Sequence, residues 1–341
     1  MKENTYMDVF IVDERFSGAL ESVLEQSVSK LIKDVKEAGS ALDEIVKLTV
    51  FLKTEDEGEI SDMKVELAEM LKKEFGQNIP AFMILSQPSL SGNDILLEAI
   101  FVEKGAKIKI ERNTFNKHSY VVLYSGKKSP RLIISGGITS PDDGDFVFEC
   151  QRVLDLAEQL LLKEDLDFSH ITNQSNYVPS LFSQSKYGNT NIENIRIFEK
   201  IRGLYFSTGM FKGKIMPQFT AVGTKAGNVT VDFTALSEGL PVDTGKSKKE
   251  EILLTGLYTA GKAVGDVKGK SVEEQARSMV TSIAGEISSN EIAYLRVYLK
   301  EKTDLATVKK VVGEHINAAN IVYLEADMHD DDLRVFMEAV R

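Results

Sequence analysis

The spacing of hydrophobic residues in the first hundred positions predicts alternating helices and strands. Apolar residues recur at helical spacing from Leu20 to Val35, which predicts an amphipathic helix over residues 20–38 that ends at Gly39. The pattern then predicts, in order, a strand EIVKLTVFLKT (44–54), a helix SDMKVELAEMLKKEF (61–75), and two strands, PAFMILSQ (80–87) and DILLEAIFVEK (94–104).

The same order of elements returns twice further along the chain. Residues 291–341 contain a strand, a helix and two strands, and Pro80–Ala99 matches Asn320–Ala339 without a gap, with Glu98 over Glu338. A longer copy lies between them. Each copy has a helix that carries a glutamine near its start, at Gln26, Gln151 and Gln275. These matches predict three tandem units, with boundaries at 1–104, 105–247 and 248–341.

The fold class follows from the make-up of each unit. A single sheet backed by two helices is an α+β unit, and it buries only one face of its sheet. The open face therefore needs a partner. With three copies in one chain, the simplest arrangement is a monomeric, intramolecular pseudo-trimer with ligand clefts between neighbouring units. The sequence leaves further dimerisation open.

Composition and charge narrow the classes of function. The 341 residues include 41 basic and 52 acidic side chains, for a net charge of −11, which disfavours nucleic-acid binding. No run of eighteen apolar residues predicts a membrane span, and the acidic N-terminus is unlike a signal peptide, so we expect a cytoplasmic protein. The single cysteine, Cys150, excludes an internal disulfide and a cysteine-based zinc site, and it falls in a helical pattern as a buried residue. We expect neither a metal nor a cofactor.

The stretch VGDVKGKSVEEQ (264–275) resembles a phosphate-binding loop, but its spacing differs. Such a loop has four residues between its first glycine and Gly-Lys-Ser, whereas Gly265 and Gly269 are separated by three. Ser271 and Glu274 instead form the Ser-x-x-Glu pattern of a capping box in front of a helix. The stretch therefore predicts a helix start, not a nucleotide site.

Several short motifs recur at the ends of the predicted strands. The pairs Ser135-Gly136 and Thr255-Gly256 end strands, Pro80-Ala81 begins one, and Leu97-Glu98-Ala99 closes a unit. In these motifs the chain resembles the Rid (YjgF) family, built from a chorismate-mutase-like βαβαββ unit. The resemblance implies trimers with ligands in the subunit clefts and imine or enamine deamination. However, the family's deaminase arginine position holds Phe82 in the first unit and Phe219 in the second, and phenylalanine cannot replace a guanidinium fork.

A second set of motifs is similar to the chorismatases, which hydrolyse chorismate. The middle unit has Asn176-Tyr177-Val178-Pro179, followed by the set Glu193, Arg196, Phe198 and Arg202. The resemblance implies an inter-unit site for a small carboxylated ligand, chorismate or a cyclic relative. The substrate-binding residues would be Arg202, Tyr177, Arg196, Gly136 and Gly256.

The C-terminal motif of the chorismatases is altered in this chain. The position of the catalytic glutamate holds Phe336, and the Cys-Arg position holds His329-Asp330. Protonation of the vinyl ether requires a general acid, and Glu338 is two residues further along the same strand face, so it is the candidate replacement. We interpret His329 with Asp330–Asp332 as a polar hairpin turn and not as a metal site.

Three functions remain open. The first is a hydrolase or lyase acting on chorismate or a relative, and the second is a binding protein that has lost the catalytic acid. The third is an imine deaminase. For the site residues, structural roles are equally open: Arg202 can complement a helix C-terminus, Tyr177 can be a buried tyrosine, and the glycines can mark tight bends.

Overall fold

The structure of the chain is a computed structural model. It describes residues 7–103, 106–124, 131–140, 145–206, 218–238, 258–260, 269–286, 292–317 and 320–340. The elements form three main sheets, which we call the first, second and third sheets in chain order. Within the described residues, no helix has the length and apolar character that crossing a bilayer requires.

The first sheet has the strand order β1-β4-β2-β3, with β2 and β3 parallel and the other pairs antiparallel. Its elements are β1 (Met7–Val12), α1 (Leu20–Glu37), β2 (Ile45–Leu52), α2 (Glu57–Phe75), β3 (Ala81–Ser86) and β4 (Ile95–Val102). The predicted helices and strands are all present. Helix α2 begins four residues earlier than predicted because the Asp56 carboxylate accepts hydrogen bonds from the N–H groups of Gly58 and Glu59. Strand β1 was not predicted.

The second sheet is the largest, with the order β12-β9-β13-β7-β6-β5 and β8 paired to β13. Its elements are β5 (Lys109–Phe115), β6 (His118–Tyr124), β7 (Arg131–Ser135), β8 (Ile138–Thr139), α3 (Phe146–Lys163), β9 (Ile171–Pro179), α4 (Asn194–Tyr205), β12 (Gln218–Thr224) and β13 (Thr230–Leu236). A separate hairpin, β10 (Gln184–Tyr187) and β11 (Thr190–Glu193), precedes α4. Cys150 is fully buried in α3, as predicted.

The third sheet has the order β14-β17-β15-β16. Its elements are β14 (Tyr258–Ala260), α5 (Val272–Glu286), β15 (Tyr294–Leu299), α6 (Leu305–His315), β16 (Asn320–Glu325) and β17 (Val335–Val340). Helix α5 starts at the predicted capping box: the Ser271 N–H donates to Glu274, and the Glu274 N–H donates to the Ser271 hydroxyl.

The three sheets share one arrangement. The order β1-β4-β2-β3 recurs as β7-β13-β9-β12 and as β14-β17-β15-β16, with the last two strands parallel each time. One position in the third-listed strand of each order is equivalent: Thr49, Ser175 and Arg296. Each of these residues pairs with the third residue of the parallel neighbour strand. Their antiparallel partners are Glu98, Asp232 and Glu338. The sequence match between Glu98 and Glu338 therefore corresponds to a shared sheet position, which Asp232 also occupies.

The sheets are buried on both faces. In the first sheet, Val46 and Phe51 belong to an apolar cluster that draws residues from all three sheets, whereas Leu48 and Val50 pack in a separate cluster with α1 and α2. Neighbouring sheets are also joined by hydrogen bonds: Phe82 N–H donates to Ser119 Oγ at 3.0 Å, His329 N–H to the Ala221 carbonyl at 3.1 Å, and Asn320 Nδ2 to the Val9 carbonyl at 3.0 Å.

Candidate functional site

The centre of the molecule contains a buried network of charged and phenolic side chains. We call it the central network, and its members are Glu98, Tyr177, Tyr294, Arg296, Tyr298 and Glu338. Arg296 on β15 donates from Nη2 to both carboxylate oxygens of Glu98 on β4, at 2.8 Å each. Both side chains are almost fully buried. Although burial acts to lower it, Glu98 and the neighbouring tyrosines raise the pKa of Arg296, so the guanidinium is charged.

Glu338, the candidate catalytic acid, has four hydrogen-bond donors around its carboxylate. Ser175 Oγ and Thr220 Oγ1 reach Oε1 at 3.2 and 3.0 Å. Arg296 Nη1 and Tyr298 OH reach Oε2, both at 3.1 Å. These four contacts engage both carboxylate oxygens of Glu338. The geometry places Glu338 inside the central network, and its predicted role in catalysis stays a prediction.

Tyr177, a predicted ligand contact, belongs to the same network. Its hydroxyl lies 3.3 Å from Arg296 Nη1, and its side chain is fully buried. Burial raises the pKa of Tyr177, so the phenol stays protonated at neutral pH. The structure thus brings Tyr177 and Glu338 together in the buried core, and ligand contact by Tyr177 stays a prediction.

A second buried ion pair extends this arrangement to the boundary between the first and second sheets. Lys47 on β2 pairs with Asp232 on β13, and the Ser135 hydroxyl donates to Asp232 Oδ1 at 2.8 Å. Together with Arg296, these residues place two cations among three carboxylates, Glu98, Asp232 and Glu338. Hydroxyl donors supply further stabilisation, because buried charges need hydrogen bonds as well as counter-ions.

Arg202 lies on the other side of the second sheet. Its Nε donates to Gln174 Oε1 at 3.2 Å, and its guanidinium lies 4.1 Å from the Phe206 ring centroid. Gln174 precedes Ser175 in β9, so its side chain projects from the face opposite to those of Ser175 and Tyr177. Desolvation lowers the pKa of Arg202 to about 10, with Glu199 opposing the shift. The structure does not bring Arg202 together with Tyr177 and Glu338.

The third sheet approaches α4 at the turn that carries His329. The His329 ring lies edge-on to Phe336 with centroids 6.4 Å apart, and Phe336 stacks on Tyr298 at 6.2 Å. His329 itself is exposed, but the protein around its ring desolvates the imidazole and lowers its pKa, against the effects of Asp330 and Glu199. Glu199 therefore lies near enough to act electrostatically on His329.

We call the region of Glu199, Arg202, His329 and Phe336 the second–third boundary. Glu199 acts electrostatically on Arg202, one turn further along α4, and on His329, which contacts Phe336. A guanidinium, an imidazole and an aromatic ring are the kinds of group that recognise a small carboxylated ring compound. Sequence reasoning placed His329 only in a polar turn. The available signal was its position, since it occupies the motif position that holds cysteine in the chorismatases.

Three further residues were predicted to contact the ligand: Gly136, Arg196 and Gly256. The Gly136 N–H donates to the Ser119 carbonyl at 3.0 Å, and a Cβ on Gly136 would lie 2.5 Å from the Phe82 backbone nitrogen. Gly136 is thus a point of close packing between two sheets, and its predicted role as an N–H donor to a ligand stays a prediction. Arg196 is exposed on α4 and pairs with Glu193 at 2.7 Å. Gly256 lies outside the described residues, so its predicted role stays a prediction.

The described part of the chain contains no group of three or more histidine, cysteine or acidic side chains placed to hold a metal ion. The Asp330–Asp332 segment forms an exposed turn in which the Asp332 N–H donates to Asp330 Oδ1 at 3.0 Å.

No protein-family model and no curated protein matches this sequence. Among solved structures, a chorismatase covers 99% of this chain and 100% of its own length, with 14% identity and a TM-score of 0.63. A cyanuric acid hydrolase covers 98% of this chain and 99% of its own, with 10% identity and a TM-score of 0.44. A YjgF-family protein from Neisseria meningitidis covers 39% of this chain and 96% of its own, with 17% identity and a TM-score of 0.27.

The chorismatase match extends over the full length of both chains. It confirms the predicted resemblance at the level of the fold: the chain has a repeated α+β fold of the chorismatase kind. The other two TM-scores are too low to support an inference.

Proposed function

We propose that this chain is a monomeric pseudo-trimer of three Rid-like units, 1–104, 105–247 and 248–341, that binds a small carboxylated metabolite. Chorismate or a cyclic relative is the proposed ligand, and the second–third boundary is the proposed cleft. The shared strand order and the full-length chorismatase match support the architecture. The placement of Arg202 supports the ligand class.

The orientation of Arg202 is the observation that carries the proposal. Gln174 accepts from Nε, and the Phe206 ring lies under the guanidinium, so the plane of the fork is fixed before a ligand arrives. A pre-oriented guanidinium recognises a carboxylate through two parallel hydrogen bonds and loses little rotamer entropy on binding. Partial desolvation strengthens such a pair relative to one at an exposed surface.

Binding without turnover is the form of this function that the geometry supports best. Chorismate hydrolysis starts with protonation of the vinyl ether, and the position of the family's acid holds the buried Phe336. Glu338 is almost fully buried in the central network, where four side chains of the protein contact both of its carboxylate oxygens.

Chorismate hydrolysis is the second candidate, and His329 is the observation that favours it. The imidazole lies beside Phe336, the residue at the position of the lost acid. Its protonated form can act as a general acid, and burial, which lowers the pKa of His329, makes this the minor form at neutral pH. Imine deamination has no such support. Phe82 is buried and its N–H donates to Ser119 Oγ, so this position offers no guanidinium to a substrate carboxylate.

A calorimetric titration with chorismate tests the proposal. We expect wild-type protein to bind it, and Arg202→Met to weaken binding by at least about tenfold, because one charge-assisted pair is lost. The matched control is Arg196→Met, which removes an exposed arginine from the same helix and should leave affinity unchanged. If wild-type protein binds neither chorismate nor related cyclic carboxylates, or if the two variants bind equally well, the proposal is wrong. Release of pyruvate would identify the hydrolase.

A further inference from the structure

The three sheets place equivalent residues at one end of their parallel strands. Counting four residues onward from the third residue of β3, β12 and β16 gives Gln87, Thr224 and Ala326. We call these three residues the end layer, and all of them are buried. The apolar cluster that draws residues from all three sheets includes Ala326 and the residues two positions earlier on each strand: Leu85, Val222 and Leu324. The end layer therefore borders that shared cluster.

Backbone hydrogen bonds hold the ends of these strands against one another. They form a cycle of three contacts between sheets: Lys225 N–H to the Ser86 carbonyl at 2.9 Å, Gly223 N–H to the Asp327 carbonyl at 2.7 Å, and Glu325 N–H to the Pro88 carbonyl at 2.9 Å. Each of these residues is adjacent in sequence to a member of the end layer. The end layer therefore lies where all three sheets meet.

Two polar atoms of the end layer have no hydrogen-bond partner among the described residues. The Gln87 amide is oriented by its Nε2, which donates to the Gly223 carbonyl at 3.1 Å. This leaves Gln87 Oε1 as a buried oxygen without a donor, and Thr224 Oγ1 is the second unpaired atom. Because Gly223 precedes Thr224, the Gln87 amide lies beside the peptide group that leads into Thr224. The two unpaired oxygens therefore belong to one part of the core.

The chemistry of these two atoms indicates what can bind between them. A buried oxygen without a hydrogen bond raises the free energy of the folded state, and most such atoms in proteins are paired. Gln87 Oε1 can only accept, whereas the Thr224 hydroxyl can donate or accept. The partner must therefore be a donor, which excludes a simple anion. A divalent cation takes about six oxygen ligands, more than the end layer offers.

We propose that the end layer binds one internal water molecule, which donates a hydrogen bond to Gln87 Oε1 and bonds to the Thr224 hydroxyl. Water both donates and accepts, and internal waters in proteins make about three hydrogen bonds to polar groups that lack other partners. Ala326, the third member, contributes only a methyl group to the layer. The bound water links the first sheet to the second at the point where the third sheet joins both. This site involves neither Arg202 nor His329 and does not depend on the proposed function.

A crystal structure of the wild-type protein tests this site without any substitution. Crystals are grown in rubidium chloride, because rubidium scatters anomalously and water does not. We expect one density peak within hydrogen-bond distance of Gln87 Oε1 and Thr224 Oγ1, with no anomalous signal. A peak with an anomalous signal, the absence of a peak, or a direct hydrogen bond between Gln87 and Thr224 would overturn the proposal.

A double-mutant cycle tests the link between the two side chains in solution. Thr224→Val keeps the shape of the side chain and removes the hydroxyl, so the water loses one partner. Urea titration should show a loss of at least about fivefold in the folding equilibrium constant. In a Gln87→Met background the same substitution should have a smaller effect, because the water has already lost its acceptor. Equal effects of Thr224→Val in the two backgrounds would contradict a shared water.

Two further variants separate this link from a general loss of packing. Thr220→Val makes the same change four residues earlier on β12, where the hydroxyl bonds to Glu338 instead. Its effect should be the same with and without Gln87→Met. Thr224→Ser retains the hydroxyl and should retain the water peak in a crystal. If Thr224→Ser lacks the peak, or if Thr220→Val couples to Gln87 as strongly as Thr224→Val does, the proposed site is wrong.

Discussion

Arg296 and Glu98 join the third sheet to the first through an ion pair at the centre of the molecule, in which Arg296 Nη2 lies 2.8 Å from each Glu98 carboxylate oxygen. Arg296 also donates to Glu338. One guanidinium therefore serves two buried carboxylates from different sheets. This arrangement determines how substitutions at the two ends of the pair should differ.

We expect Arg296→Met to lower the free energy of unfolding by about 3–5 kcal/mol, because it leaves Glu98 and Glu338 buried without their cation. Glu98→Gln should cost less, since Arg296 retains Glu338. Arg196→Met, which breaks the exposed pair with Glu193, should cost no more than about 1 kcal/mol. Urea titration measures all three. Equal losses for Arg296→Met and Arg196→Met would show that the central network does not hold the sheets together.

Gly136 tests the contact between the first and second sheets. In Gly136→Ala the added methyl group would lie 2.5 Å from the Phe82 backbone nitrogen, so one sheet must shift. We expect a loss of about 3 kcal/mol, at the upper end for overpacking, because a backbone cannot rotate away as a side chain can. The control is Gly313→Ala in α6, where the methyl group meets nothing within 4 Å. It should stabilise the protein by about 0.5–1 kcal/mol through helix propensity. A tolerated Gly136→Ala would contradict the close packing.

His118 should make stability depend on pH in the acidic range. Burial lowers its pKa to about 4 in the folded protein, below the ordinary value of 6.5, so the unfolded chain binds more protons between these values. Stability should therefore fall as the pH drops from 6.5 to 4, by up to about 3 kcal/mol from this residue. Urea titrations at several pH values should show a shallower dependence in His118→Gln than in wild-type protein. His315→Gln, at an exposed position on α6, is the control. Equal slopes in His118→Gln and wild-type protein would be inconsistent with a buried, neutral His118.

Substitutions of Glu338 and His329 should affect turnover of chorismate differently. If pyruvate is released from chorismate, His329→Gln should reduce kcat by about 100-fold or more, as expected for loss of a general acid. Glu338→Gln should mainly lower stability, because it weakens the bonds from Arg296 and Tyr298. A loss of kcat in folded Glu338→Gln protein, with little effect of His329→Gln, would return the catalytic role to Glu338.

The sequence was sufficient to predict the order of most helices and strands, because hydrophobic periodicity reflects which faces are buried. It did not predict β1, β5 or the β10–β11 hairpin. It did match Glu98 with Glu338. It missed the cation between them. The alternating positions Tyr294, Arg296 and Tyr298 form a polar stripe on one face of a strand, which in a single sheet is typical of a solvent-facing surface. The stripe is buried because the other two sheets pack against it. The local sequence pattern does not encode that packing.

The candidate site was less predictable for the same reason. Arg202, Tyr177 and Glu338 were each found by motif, but motifs do not specify which sheet face a residue occupies in the assembled molecule. Because side chains alternate along a strand, Gln174, the partner of Arg202, and Tyr177 lie on opposite faces of β9. His329 and Phe336, the other members of the second–third boundary, come from the third sheet, more than a hundred residues further along the chain than Arg202.

A crystal structure of the protein with chorismate tests the proposed function most directly. The account predicts ligand density at the second–third boundary, with a carboxylate group within hydrogen-bond distance of the Arg202 guanidinium and the ring near His329 and Phe336. Ligand bound elsewhere, or no ligand at concentrations that saturate the calorimetric signal, would contradict it.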